Sequence, residues 1–106
     1  MDTNETTRRY LDSLLVEERL IDSVLPSGKV TLFGREYATP IMTPAFSHLG
    51  SLGEGRESAL VEYARAAKET GALNWVGMVT DGEFEEIART GADTVRIIKP
   101  FADHAK

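Results

Sequence analysis

His48, Arg96 and Lys99 are the side chains whose type and position suit them for chemistry. His48 follows a short apolar run containing Pro44, and an imidazole that titrates near neutrality suits proton transfer. The alternative is a loop histidine exposed to solvent. Lys99 closes a β-branched run, where a compact ammonium can meet a phosphate or a substrate carboxylate or merely end a strand at the surface. Arg96 lies inside the same run. Pointing into a barrel it must be paired, and pointing outward it can lie along a helix and reach water. His104, near the end of the sequence, has less claim. The glycines at Gly50, Gly53 and Gly55 match neither spacing of a phosphate-cradling loop, so they read as a flexible connection. Glu83, Glu85 and Glu86 read as a solvated face that also favours a helix start. With two histidines and no cysteine, no metal site is expected, and disulfides and thiol nucleophiles are excluded.

The elements that must position these residues follow from periodicity. Residues 4–25 carry Leu11, Leu14, Leu15, Ile21, Val24 and Leu25 at helical spacing, which predicts a long amphipathic helix ended by Pro26-Ser27-Gly28. Val30-Thr31-Leu32-Phe33 and Glu36-Tyr37, joined through Gly34-Arg35, predict a small hairpin. Strands are expected near residues 40–45, 73–79 and 94–99, with helices near 57–70 and 82–90 between them. Gly71 and Gly91 mark the helix ends, and Thr80-Asp81-Gly82-Glu83 has the form of a capping box. Strand, helix, strand, helix, strand predicts an α/β protein with a parallel sheet, either a three-stranded open sheet or part of a barrel. In both, ligands sit beyond the carboxyl ends of the strands.

Composition bounds the function. A chain of 106 residues with 42% hydrophobic and 27% charged residues reads as one globular domain. A complete (β/α)8 barrel needs roughly 250 residues. The net charge of −5 argues against nucleic acid and anionic membrane surfaces as partners. No apolar run reaches the length of roughly 18 residues that a membrane helix needs, and the polar, acidic start is unlike a signal peptide, so a cytoplasmic location is expected.

Phe33-Gly34-Arg35, then Thr39-Pro40-Ile41-Met42-Thr43-Pro44-Ala45, then Ala64-Arg65-Ala66-Ala67-Lys68-Glu69-Thr70-Gly71-Ala72 and Glu83-Phe84-Glu85-Glu86-Ile87-Ala88 resemble, in order and spacing, the amino-terminal part of FMN-dependent 2-hydroxy acid oxidases and dehydrogenases. The resemblance implies a partial (β/α)8 barrel, with residues 1–37 as the helix and hairpin closing its bottom and 38–106 as its first β/α units. It implies FMN as cofactor and a small 2-hydroxy acid as substrate. Pro44, Ala45 and Phe46 map onto the backbone lying against the flavin ring. Gly77 and Met78 stand where the family usually offers a serine, and Arg96 or Ile97 and Lys99 occupy the stretch where it has a flavin-binding glutamine and a tyrosine. His48 is a substrate-side candidate. The family's proton-accepting histidine, flavin-activating lysine, arginines and phosphate loops come from later strands, so no catalytic residue is assigned. The expected partner is a second polypeptide or a continuation supplying the rest of the barrel, or further copies of the chain in a homo-oligomer. The rival expectation is a non-catalytic, self-associating or scaffold domain, or an inactive truncation.

Overall fold

A computed structural model of the chain describes residues 2–100; His104 lies outside them. The order of elements is helix α1 (Thr3–Asp12), strands β1 (Val30–Leu32) and β2 (Arg35–Tyr37), helix α2 (Ala59–Thr70), strand β3 (Asn74–Val76), helix α3 (Asp81–Arg89) and strand β4 (Thr94–Arg96). β3 and β4 pair in parallel, with Asn74 opposite Thr94, Trp75 opposite Val95 and Val76 opposite Arg96. This is the parallel pairing expected of consecutive strands joined through a helix.

The core lies between this ribbon and its two helices. Leu60, Val61 and Ala64 of α2, Val76 of β3 and Ile87 of α3 form one buried cluster, with Leu49, Val79, Phe84 and Ala92 packed at its margin. The alanines on the inner side of α2 leave little side chain between helix and sheet. Ser58 caps α2 by accepting the Val61 N–H, and Gly71 ends it with φ 70°, a left-handed conformation that suits glycine. A Cβ at Gly71 would also come within 2.8 Å of the Ala38 Cβ. At the start of α3 the capping box is complete: the Thr80 hydroxyl accepts the Glu83 N–H, and the Glu83 carboxylate accepts the Thr80 N–H.

The hairpin forms as expected, with Val30 opposite Tyr37, though its turn is Phe33-Gly34 rather than Gly34-Arg35. It closes the amino-terminal end of the ribbon. Arg35 pairs with Asp93, Tyr37 donates its hydroxyl to the same carboxylate at 3.1 Å, and the Ala38 N–H bonds to the Gly71 carbonyl at 2.8 Å. Burial, then the hydrogen bond to Asp93, pushes the Tyr37 phenol up, against the opposing pull of Arg35.

Two expectations are corrected. The helix expected over residues 4–25 ends at Asp12. What forms is held by local interactions: Asp2 accepts the Glu5 N–H, and Glu5–Arg9 and Arg8–Asp12 pair one turn apart. No residue of α1 is buried, and residues 14–29 have no regular secondary structure. An apolar stripe stabilises a helix only where it meets a surface, and this one meets none.

The sheet, moreover, has two strands and not three. Residues 40–45 run alongside β3 without forming a strand. Pro40 and Pro44 have no N–H to give to a ladder, so a few backbone bonds, such as Thr43 N–H to the Leu73 carbonyl at 3.3 Å, are supplemented by side chains. The Thr43 hydroxyl accepts the Trp75 N–H at 2.8 Å and donates to the Asn74 amide oxygen at 2.7 Å, while the Gly77 N–H bonds to the Phe46 carbonyl at 2.8 Å. The expected strands at 73–79 and 94–99 keep their places but are shorter, three residues each.

Candidate functional site

The carboxyl ends of β3, β4 and the 40–47 segment come together on one side of the ribbon. Gly77 is where they touch. A Cβ there would lie 2.0 Å from the Ser47 Oγ, 2.9 Å from the Phe46 carbonyl oxygen and 3.1 Å from that of Ala45, so only glycine permits this approach. The next residue completes the contact, the Met78 N–H donating to the Ser47 Oγ at 2.8 Å. Phe46 turns its ring toward Tyr63 of α2, with centroids 6.3 Å apart and planes tilted by 60°. The Pro44-Ala45-Phe46 backbone is thereby anchored between α2 and β3, with all three residues exposed.

Beside this junction is an open cleft of about 340 Å³, lined by Met78, Val79, Asp81, Arg96, Ile97, Ile98 and Lys99. Of the residues singled out from sequence, it gathers Met78, Arg96 and Lys99; Pro44, Ala45, Phe46 and Gly77 adjoin it through the contacts above. Lys99 is exposed.

Arg96 is engaged on the helix side. It shares a strand face with Thr94 and is paired across the ribbon with the core residue Val76. Its guanidinium donates to the Val79 carbonyl at 2.8 Å, meets the Asp81 carboxylate at 3.0 Å and lies over the Phe84 ring, 5.0 Å from the centroid. The side chain thus lies along α3, one of the two possibilities left open from sequence, and it is paired there as well.

His48 does not line the cleft. It is exposed, with φ 57°, an uncommon backbone for a non-glycine residue. Nearby, the Glu83 carboxyl sits below the usual carboxylate range, chiefly because of the Thr80 N–H and hydroxyl hydrogen bonds, with the proximity of His48 the smallest cause.

Two residues of the junction escaped the sequence reading. Ser47 supplies the oxygen that binds Met78. Asn74, fully buried on β3, joins the Thr43 hydroxyl to that of Thr94 and so ties the 40–47 segment to both strands. A polar residue within an apolar run was the available signal for Asn74, since such a group must find partners when buried.

A flat heteroaromatic cofactor fits what is exposed here. Pro44 and Ala45 present backbone with small side chains, the Met78 side chain and Ile97 are apolar, and Lys99 carries a positive charge at the cleft. Among the described residues no cluster of His, Asp or Glu is placed to hold a metal, and no helix is long and apolar enough to cross a membrane. No curated protein and no solved structure matches the chain significantly. The sequence model of one family, FMN-dependent dehydrogenase, matches residues 1–105. With a match of that extent, the chain belongs to the FMN-dependent dehydrogenase family of oxidoreductases, and its cofactor is FMN.

Proposed function

We propose that the chain supplies one wall of the flavin site in an FMN-dependent oxidoreductase acting on a small 2-hydroxy acid. Its β/α units are the first of a (β/α)8 barrel, with residues 38–106 forming them and residues 1–37 closing the bottom. The observation that carries this reading is the junction at Gly77, where residues 44–47 and 77–78 meet at the carboxyl ends of parallel elements, the side on which such folds bind ligands. When bound, FMN supplies the acceptor for the hydride removed from the hydroxy acid. The Pro44-Ala45-Phe46 backbone lies along the ring. Met78, at the family's serine position, makes an apolar contact and gives no side-chain hydrogen bond. Lys99 faces the phosphate or the substrate carboxylate, and His48 stands on the substrate side. The base and the phosphate loops come from further strands, on a second polypeptide or a continuation of the chain.

A second reading, a self-associating non-catalytic domain, is favoured by one observation: Leu15, Leu20, Ile21, Val24 and Leu25 are each more than four-fifths exposed. Intact-mass analysis and visible absorbance of the purified protein separate the two. A yellow assembly with a second polypeptide, bleached by lactate or glycolate, supports the first; a colourless homo-oligomer supports the second. The 106-residue chain alone is expected to oxidise neither acid when given FMN, because proton removal needs a positioned base. Flavin reduction that His48→Ala abolishes would instead make His48 that base.

A further inference from the structure

The guanidinium of Arg96 joins the end of one strand to the turn that follows the other. It leaves β4, reaches across the ribbon and binds the carbonyl of Val79, the residue immediately after the Gly77–Met78 junction. The same group meets Asp81 at the first position of α3 and stacks over Phe84 one turn later. Three kinds of contact thus converge from one side chain on residues 79–84. They differ in weight. Asp81 is 91% exposed, so its ion pair is screened and contributes little. The Arg96 side chain is 27% exposed, and its hydrogen bond to Val79 and its place over Phe84 are the sheltered contacts. Val79 and Phe84 both pack against the core cluster, and Val79, Asp81 and Arg96 also line the cleft beside Met78.

We infer that Arg96 is a positioning residue: it fixes the turn 78–81, and through it the Met78 side of the cofactor cleft, without itself touching the cofactor. The inference rests on the flavin-wall reading above for its functional half, while its structural half stands on the contacts alone. Arginine suits the role because a planar guanidinium can donate to a carbonyl in its plane while its face covers an aromatic ring. Lysine keeps the charge and can donate to the carbonyl but has no planar face to cover the ring at the same time. Nη2 is the nitrogen that meets both Val79 and Asp81, so a swing into the cleft would break both contacts and strand the Val79 carbonyl at the edge of the core.

The test is amide hydrogen exchange on the full chain, comparing Arg96→Met and Arg96→Lys with the parent. Arg96→Met is expected to speed exchange in residues 79–83 about tenfold, and Arg96→Lys by less, with exchange in α2 unchanged. Unchanged rates at 79–83 in both variants would overturn the inference, as would a uniform rise across α2 and the turn, which marks general destabilisation. If Arg96→Met does not fold, the same two criteria apply to Arg96→Lys. FMN titration, followed by the visible circular dichroism of the bound flavin, reads the functional half. Arg96→Met is expected to weaken uptake about tenfold and alter that spectrum. Uptake and spectrum equal to the parent's would confine Arg96 to the turn and overturn its link to the cofactor. No uptake by the parent protein in its purified assembly would overturn the flavin-wall reading, leaving the exchange result to decide the turn.

Discussion

In residues 30–100 each helix sets a face against the sheet and the polar groups of the junction are bonded, whereas in residues 2–29 a helix of ten residues is followed by an apolar segment with nothing against it. Both regions obey the same local rules. α1 has an N-cap, acidic and basic residues at the favourable ends and two ion pairs, as good a set of local signals as α3 has. What separates them is burial: Ile87 of α3 is fully buried, and no residue of α1 is. The radius of gyration, 18.6 Å, exceeds the value of about 13 Å for a compact chain of this length. Capping and pairing end and align a helix, and tertiary contact decides how far it runs.

The largest effect that can sharpen this contrast is a core truncation. Ile87→Ala is expected to cost about 2–5 kcal/mol in urea unfolding, and Leu15→Ala to change stability by less than about 0.5 kcal/mol. Equal losses would break the comparison, because they would mean that residues 13–25 are packed on something in solution.

Next in size is the junction. Gly77→Ala is expected to destabilise by about 1–3 kcal/mol, because the new methyl meets Ser47 and two backbone carbonyls at once. Adding Ser47→Ala removes the closest of these contacts and should recover only part of the loss, since the carbonyl oxygens at 2.9 and 3.1 Å remain. Full recovery would show that the backbone yields there and that glycine is not required.

How much of this was readable from residues alone follows the same division. The hairpin, the left-handed Gly71 and the Thr80–Glu83 box were legible because each rests on neighbours within a few positions. The ends of α2 and α3 fell close to expectation for that reason. The helix over residues 4–25 was over-extended because periodicity records a tendency to bury a face and not the presence of a surface to bury it on. Residues 40–45 were placed correctly beside β3, but their apolar character hid that the Thr43 and Ser47 hydroxyls accept N–H groups of Trp75 and Met78 there. The tie of Arg35 and Tyr37 to Asp93 spans more than fifty residues, and no local pattern carries it. The direction of Arg96 was open for the same reason: Phe84 and Val79, which settle it, lie on other elements.

The smallest expected effect concerns α3 and acid. The folded chain holds the Glu83 carboxyl below its ordinary value, chiefly through the Thr80 backbone and side-chain hydrogen bonds. A lowered folded pKa means that the contribution is complete above the unfolded value, about 4.3 for glutamate, and is lost as pH falls through the lower folded value. Thr80→Ala should therefore cost about 0.5–2 kcal/mol at neutral pH and less in acid. Glu83→Gln should flatten the fall in stability below roughly pH 4.3 without shifting the neutral value by more than a few tenths of a kcal/mol. A Thr80→Ala loss as large in acid as at neutrality would show that the charged carboxylate is not what the box stabilises.

That residues 44–47 and 77–78 form a wall against FMN is tested by a hydrogen-exchange footprint of the purified protein, in its native assembly, with and without FMN. Exchange is expected to slow at Ala45, Phe46, Gly77 and Met78, with residues 13–25 and the hairpin turn at Phe33-Gly34 unaffected. Saturating FMN that leaves those four amides unchanged, or protects residues 13–25 instead, would contradict it.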